Sequence, residues 1–396
     1  MDTLASILTI YKTYLEKSLT NRFFKHADIE ILIRQKKNFL VKKVGTSVED
    51  RSIYLLERGT GEIKIFLWSQ MHGDEATATM SLFDLLNFLD ADDEFNPVRK
   101  SILEKCTLYF IPMVNPDGAE AFTRRNAQGL DINRDFLHQQ TPEGRLLRKL
   151  RDEINPHFGF NLHDQSIRWS AGKTGNPATI SLLAPAYDDK LSVNSTRKKA
   201  MQIIAGINAD IQQLIPGHIA RFKDDFEPRA FGDNFQSAGT STILIEAGGY
   251  TDDREKQYIR KIYFASILSA LVSIAEKTCE DRSIEDYFLI PENEKRHFSL
   301  IIRNCTLEKN SQTYVADIGL VADEKVIDGQ NPLYSYIIED VGDLSDFFCY
   351  NEVDAKTIKL ILTKPLYIDE AADLILQDGL KTILSIENGT ISDKKF

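Results

Sequence analysis

Residues Ile63–Leu89 read IKIFLWSQMHGDEATATMSLFDLLNFL, and the fold is decided here. Ile63–Trp68 is an apolar run short enough for a buried strand. Ser69-Gln70-Met71 turns the chain and presents His72-Gly73-Asp74-Glu75. Beyond the turn, Ala76, Met80, Phe83 and Leu86, with Leu82, Leu85 and Leu89 beside them, make one broad apolar helical face. His72 and Glu75 therefore stand where a strand hands over to a helix, the place where open α/β sheets gather ligands and metals. An imidazole and a carboxylate on one tight turn can reach a single divalent cation. His-x-x-Glu alone is common, and a histidine near a helix start is more often a cap. A third ligand and a catalytic acid at matching strand ends would give the pattern its meaning.

Downstream, Cys106–Val114 (CTLYFIPMV) reads as a second apolar strand, followed by Asn115-Pro116-Asp117-Gly118, a good turn in its own right. The next span holds Arg124, Arg125, Asn126, Asp131, Asn133 and Arg134 and is too poor in aliphatic residues to build a core. A solvated basic loop is its simplest reading in isolation. A helix over Pro142–Glu153 leads to HFGFNLHD, His157–Asp164, a strand that ends on His163, the candidate third ligand. His157, at the other end, reads as structural; His26, His138, His218 and His297 lack a partner pattern and read as surface or satisfied groups. Thr179–Ala184 is a short apolar run, and Ser195–Leu214 a helix. Asp224–Gln236 reads as a polar loop in which Asp233, next to Gly232, caps a turn in preference to meeting a cationic substrate group. Ser241–Glu246 (STILIE) is a β-branched strand that ends in a carboxylate. Gly248-Gly249 then lets the backbone turn and keeps space open beside Glu246. A helix, Arg254–Glu276, closes this part of the chain.

Upstream, residues 1–30 read as a helix and linker, and Ile31–Val44 and Ser52–Arg58 as strands. Beyond residue 282 the pattern changes to short strands, Phe298–Arg303, Thr313–Ala322, Tyr334–Ile338, Thr357–Leu362, Ala372–Leu376 and Lys381–Ile386. Turns fall at Asp328-Gly329, Asp378-Gly379 and Asn388-Gly389. The expected division is a catalytic domain over 1–282 and a small β-rich domain over 283–396 with no chemical constellation of its own.

A net charge of −11 argues against an electrostatic grip on nucleic acid or anionic lipid. The first residues lack a basic segment and a continuous apolar core, so they do not read as a signal peptide. No stretch reaches the ~18 consecutive apolar residues of a membrane span. Cys106, Cys279, Cys305 and Cys349 lack CxxC spacing and sit in or beside apolar sequence, as structural thiols of a reducing compartment do. A cytoplasmic location is the expectation.

The pieces join as chemistry. Two histidines and a carboxylate, His72, Glu75 and His163, make a three-ligand Zn²⁺ set that leaves room for a water. Glu246 can serve as the general base. Arg124 can face a developing oxyanion, and Asn133 with Arg134 can hold a substrate carboxylate through the guanidinium fork. Asp131 can accept the remaining N–H of His72 and fix its tautomer.

The order His-x-x-Glu, Asn-Pro-Asp-Gly, Arg-x-Asn, Asp-x-Asn-Arg, strand-end histidine and strand-end glutamate resembles the zinc carboxypeptidase family, the carboxypeptidase A-like metallopeptidases, over about residues 45–275. Each motif is weak alone; six in one order are specific. The resemblance implies zinc at His72, Glu75 and His163, and Glu246 as general base. It implies Arg124 at the scissile carbonyl, Asn133 and Arg134 on the terminal carboxylate, and Asp131 behind His72. Arg124 is preferred to Arg125 because the family spacing is Arg-x-Asn. The implied fold is α/β, a mixed, mostly parallel eight-stranded sheet sandwiched by helices, here followed by the β-rich C-terminal domain. Three features depart from the family: Tyr250 lies too close to Glu246 for the active-site tyrosine of digestive members, the Asp224–Gln236 loop matches no specificity class, and residues 283–396 fall outside the family. The expected activity is hydrolysis of a peptide bond next to a free carboxylate. The alternative is a zinc-dependent deacylase acting on a small N-acyl amino acid or cell-wall-type peptide. The expected partner is a peptide or small amide, and the C-terminal domain is left to shape the entrance or to mediate self-association of two copies.

Overall fold

The computed structural model describes residues 2–326 and 333–394. The chain forms two compact units, one of residues 1–166 and 178–293, the other of Ile167–Pro177 and 294–396.

The first unit is built on an eight-stranded sheet of β1 (Leu40–Thr46), β2 (Ser52–Gly59), β3 (Ile63–Ser69), β4 (Cys106–Ile111), β5 (Phe158–Asp164), β6 (Ile180–Leu183), β7 (Ile219–Arg221) and β8 (Ser241–Ala247). Its spatial order is β1-β2-β4-β3-β5-β8-β6-β7. β4, β3, β5 and β8 run mutually parallel, β6 and β7 are parallel, and β1–β2, β2–β4 and β8–β6 are antiparallel. Strands covered on both faces must be apolar on both, and β3 is: Ile65 and Leu67 enter the core under one face, Phe66 and Trp68 the core under the other. The first core packs the helices Thr77–Asp90, Ser195–Ile211 and Gln257–Glu276; the second packs Pro142–Ile154 and Phe231–Ser237. Alternation then assigns the remaining positions. On β5, Phe160 and Leu162 point into the first core, so Asn161 and His163 take the opposite face. On β8, Ile243 and Ile245 do the same, which leaves Glu246 on the face of His163. Gln257–Glu276 is long and apolar enough to cross a membrane, yet 78% of its apolar window is buried in the fold.

Three sequence expectations need correction. Ile31–Val44 is not one strand: His26–Arg34 is a helix with Ile29, Leu32 and Ile33 buried and Ile31 56% exposed, and β1 begins only at Leu40. The spacing 29, 32, 33 is helical, and Asp28 secures the start by accepting from the Lys25 N–H. The Asp224–Gln236 loop contains the helix Phe231–Ser237, whose Phe231 and Phe235 are one turn apart and fully buried. The boundary at 282 gives way to one at 293, because the helix Ile284–Phe288 belongs to the first unit. Its Tyr287 is buried, accepts at its hydroxyl from the Ala184 N–H at 3.3 Å, and lies under the Arg221 guanidinium. Residues Ile167–Pro177, by contrast, belong to the second unit.

The second unit holds two four-stranded sheets that share one apolar core, with Ile302, Ile318 and Leu320 from one and Leu374, Leu376 and Leu384 from the other. Hairpin turns at Asp378-Gly379 and Asn388-Gly389 use left-handed backbone, with φ of 46° and 79° at the second pair. The expected turn at Asp328-Gly329 lies outside the described residues. The segment from the middle of the chain contributes the short strand Trp169–Ala171, and the Arg168 carbonyl accepts from the Arg296 and His297 N–H groups.

Candidate metal centre

The turn after β3 is rigid for local reasons. Gln70 sits in left-handed backbone at φ 53° and its amide donates to the Gly73 carbonyl. A Cβ on Gly73 would lie 1.9 Å from the Gly118 carbonyl carbon, so only glycine lets the turn pack against the helix Pro116–Ala121. Asn115 joins the two: it accepts from Gly118 N–H as the helix N-cap and donates to the Met71 carbonyl. The Asn-Pro-Asp-Gly turn is therefore the start of a helix that braces the His72 turn, and Asp117 ties it to Ser47 and Arg51.

His72, Glu75 and His163 come together. One ligand atom from each, all buried residues, lies within 4.8 Å of the others. Glu75 Oε1 is 2.7 Å from His72 Nδ1, and its Oε2 is 2.7 Å from His163 Nδ1. Behind His72, Nε2 donates to Asp131 Oδ1 at 3.1 Å. With Nε2 carrying that proton, a neutral His72 presents a bare lone pair to a carboxylate oxygen, and two acceptors in contact need a proton or a cation between them. The donor set of two imidazoles and one carboxylate fits a divalent ion such as zinc. A proton can occupy the same place. Burial opposes the His72 imidazolium, but the charge of Glu75 and the hydrogen bonds from Asp131 and Glu75 push it up to about 9. Burial also opposes ionised Glu75, yet the two imidazoles hold it well below the usual glutamate range. Burial holds His163 below its ordinary value despite Glu75. Asp74, enclosed beside Glu75, is pushed up to about 6 by burial and then by that neighbour's charge.

Glu246 stands opposite His163 in the β5–β8 register, on an adjacent parallel strand. Its Oε2 is buried and without a hydrogen-bond partner among the described residues. Burial first, and the Glu75 charge second, raise its carboxyl well above the ordinary value. A Cβ on Gly248 would lie 2.0 Å from the Ala178 carbonyl oxygen, so the glycine lets the segment just before β6 pack closely there.

Arg124 reaches the cluster. Its Nη1 lies 3.1 Å from His72 Nδ1 and 3.3 Å from Glu75 Oε1, while Nε and Nη2 grip Asp131. Arg134 and Asn133 stand at the other side of Asp131. The Asn133 side-chain carbonyl accepts from Phe231 N–H, and Arg134 Nε lies 3.4 Å from Glu227, which also takes both arms of Arg229. Asp233 accepts from the Glu227 N–H at 2.9 Å, the turn-capping role expected of it, and burial pushes its carboxyl up to about 7. Tyr250 packs its ring against His218 and Tyr258.

Two neighbours of the cluster were missed by the sequence reading. Asp164, directly after His163, accepts from Thr77 Oγ1 and from Lys256 Nζ. Asp164 was visible beside His163, but nothing local marks Lys256 as its partner.

The zinc carboxypeptidase family model matches residues 28–161, which covers His72 through Arg134 and stops short of His163 and Glu246. The chain is 28% identical over 116 residues to a probable carboxypeptidase 2 of Trichophyton verrucosum, covering 29% of this chain and 21% of that protein. It is 30% identical over 130 residues to carboxypeptidase SOL1 of Arabidopsis thaliana, covering 31% of this chain and 26% of that one. The match thus spans well under half the length of these relatives. A metallo-carboxypeptidase from Burkholderia cenocepacia superimposes with a TM-score of 0.51 at 20% identity, over 64% of this chain and 68% of that one. Bovine thrombin-activatable fibrinolysis inhibitor, in complex with tick carboxypeptidase inhibitor, gives 0.53 at 15% identity, over 65% and 98%. At such identities the two structures speak for the fold. Over residues 28–161 the chain is similar to the zinc carboxypeptidase family, and its fold is similar to that of the two solved carboxypeptidase-like structures.

Proposed function

We propose that the protein is a zinc metallocarboxypeptidase that hydrolyses an amide bond next to a free carboxylate. The observation that carries the reading is the buried convergence of His72, Glu75 and His163 within 4.8 Å, with Glu246 in register beside His163. His72, Glu75 and His163 would hold the ion, and Asp131 would keep His72 in the binding tautomer. Zinc, when bound, supplies Lewis acidity that makes water a nucleophile near neutral pH. Glu246 takes the proton of the attacking water on its unpartnered Oε2 and returns it to the leaving amine. The raised affinity of this carboxyl for a proton suits the second half of that transfer. Arg124 brings its guanidinium to the carbonyl oxygen as negative charge develops there. Asn133 and Arg134 take the free carboxylate of the substrate, which selects the end of a chain.

The test combines metal analysis with a substrate panel of free-acid peptides, their C-terminal amides and N-acyl amino acids. Purified protein is expected to carry stoichiometric zinc, to cleave free-acid peptides and to leave the amides intact. Turnover confined to N-acyl amino acids would move the assignment to a deacylase. A protein that neither binds zinc nor turns over any of them would end it.

A further inference from the structure

Lys256 is 5% exposed and lies immediately before the helix Gln257–Glu276. Its backbone is left-handed, with φ of 52°, a conformation that glycine and asparagine adopt far more readily than lysine. The conformation accompanies an inward-pointing ammonium with two partners. Nζ donates to Asp164 Oδ2 and to the Ala247 carbonyl, each at 3.0 Å. Asp164 Oδ2 also accepts from Thr77 Oγ1 at 2.6 Å, and the Asp164 N–H donates to Glu75 Oε2 at 3.2 Å. Asp164 follows His163, Ala247 follows Glu246, and Thr77 stands just past Glu75. One buried ammonium therefore binds the chain next to the base and next to one ligand, and reaches the start of the helix Thr77–Asp90, just past Glu75, through Asp164.

From these contacts we infer that Lys256 and Asp164 are a positioning pair that sets the spacing between Glu246 and the His72–Glu75–His163 cluster. The pair touches no substrate; it acts through the strand ends it joins. Both charges are nearly enclosed, with side chains 6% exposed, and a buried ion pair is weak evidence for stability, since apolar replacements of similar size often fold as well. A pair kept only for stability would be replaceable without functional cost. A pair that holds the base at working distance would not, because displacement of about 1 Å at a reacting centre can cost on the order of 100-fold in rate.

The inference rests on the proposed hydrolytic function, and the experiment separates the two. Lys256→Met alone would strand a buried carboxylate, so the variant of choice is Lys256→Met combined with Asp164→Asn, with Thr77→Val as a milder companion that keeps volume. Each is compared with the parent by cooperative unfolding, zinc content, kcat and KM on a free-acid peptide. The visible absorption of the cobalt-substituted form adds a readout that needs no turnover. The double variant is expected to fold and hold metal, to lose about 10-fold or more in kcat with KM unmoved, and to show a displaced cobalt band. Thr77→Val is expected to lose about two- to tenfold in kcat, the range a single hydrogen bond represents, and it decides the matter if the double variant does not fold. A folded variant with the kcat and the cobalt spectrum of the parent overturns the positioning role. An inactive parent would overturn the hydrolytic reading instead, and the cobalt band would then judge the pair alone.

Discussion

The turn after β3 and the end of β8 each put a glutamate into the same enclosed region, and the two groups behave in opposite ways. Glu75 meets an imidazole at each carboxylate oxygen and is held ionised well below the usual range. Glu246 has one oxygen without a hydrogen-bond partner among the described residues and is pushed well above it. Burial penalises charge at both; partners decide which carboxylate keeps it. A group fixed as an anion suits metal binding, and a group that readily gains a proton suits proton transfer. A pair of like groups driven apart in this way is a common route to an assignment of acid–base roles.

Exchange of the two residues for glutamine should break the comparison most visibly. Glu246→Gln is expected to keep its metal and lose roughly 10²–10⁴ in kcat. Glu75→Gln is expected to lose both metal and activity, as measured by metal analysis of the purified protein. If the two variants behave alike, the division of roles is wrong. Asp131→Asn addresses the support behind the turn and should cost about 10–100-fold in metal affinity or activity, read by competition with a chelator.

The titration itself offers a finer test. In metal-free protein, the Glu246 carboxyl followed by carbon NMR should protonate well above the ordinary value of about 4.3, and Glu75 well below it. Glu75→Gln removes a neighbouring negative charge and should lower the Glu246 pKa. Asp233 supplies a smaller contrast, a buried carboxyl near 7 with a backbone amide for a partner. Its folded pKa exceeds its unfolded one, so its contribution to stability is full below about pH 4 and fades as pH rises toward 7. Asp233→Asn should therefore gain stability over the parent near pH 7, by on the order of 1 kcal/mol, and none near pH 4, as denaturant titrations at the two pH values would show.

The centre was legible because its residues sit at ends of strands whose apolar alternation is strong, as in Phe160 and Leu162 against His163. The early helix was misread because Ile31 and its neighbours look like a strand until the burial of Ile29, Leu32 and Ile33 shows the helical period. Phe231 and Phe235 carried a visible one-turn spacing that the polar residues around them masked. Lys256 could not be read at all: its carboxylate partner is 92 positions away, and nothing in a linear chain announces that meeting. The division of the molecule failed for a related reason, since composition changes near 282 while packing continues through Tyr287 to Asn293.

The segment Ile167–Pro177 has a practical consequence for anyone shortening this protein. It leaves the first unit between β5 and β6 and supplies backbone partners inside the second. A stop codon after Asn293 would not excise a module cleanly, because it would leave an internal excursion of the chain with its pairing strands deleted. The second unit expressed alone would lack that same excursion. A workable dissection would have to replace the excursion with a short bridge in one fragment and graft it onto the other.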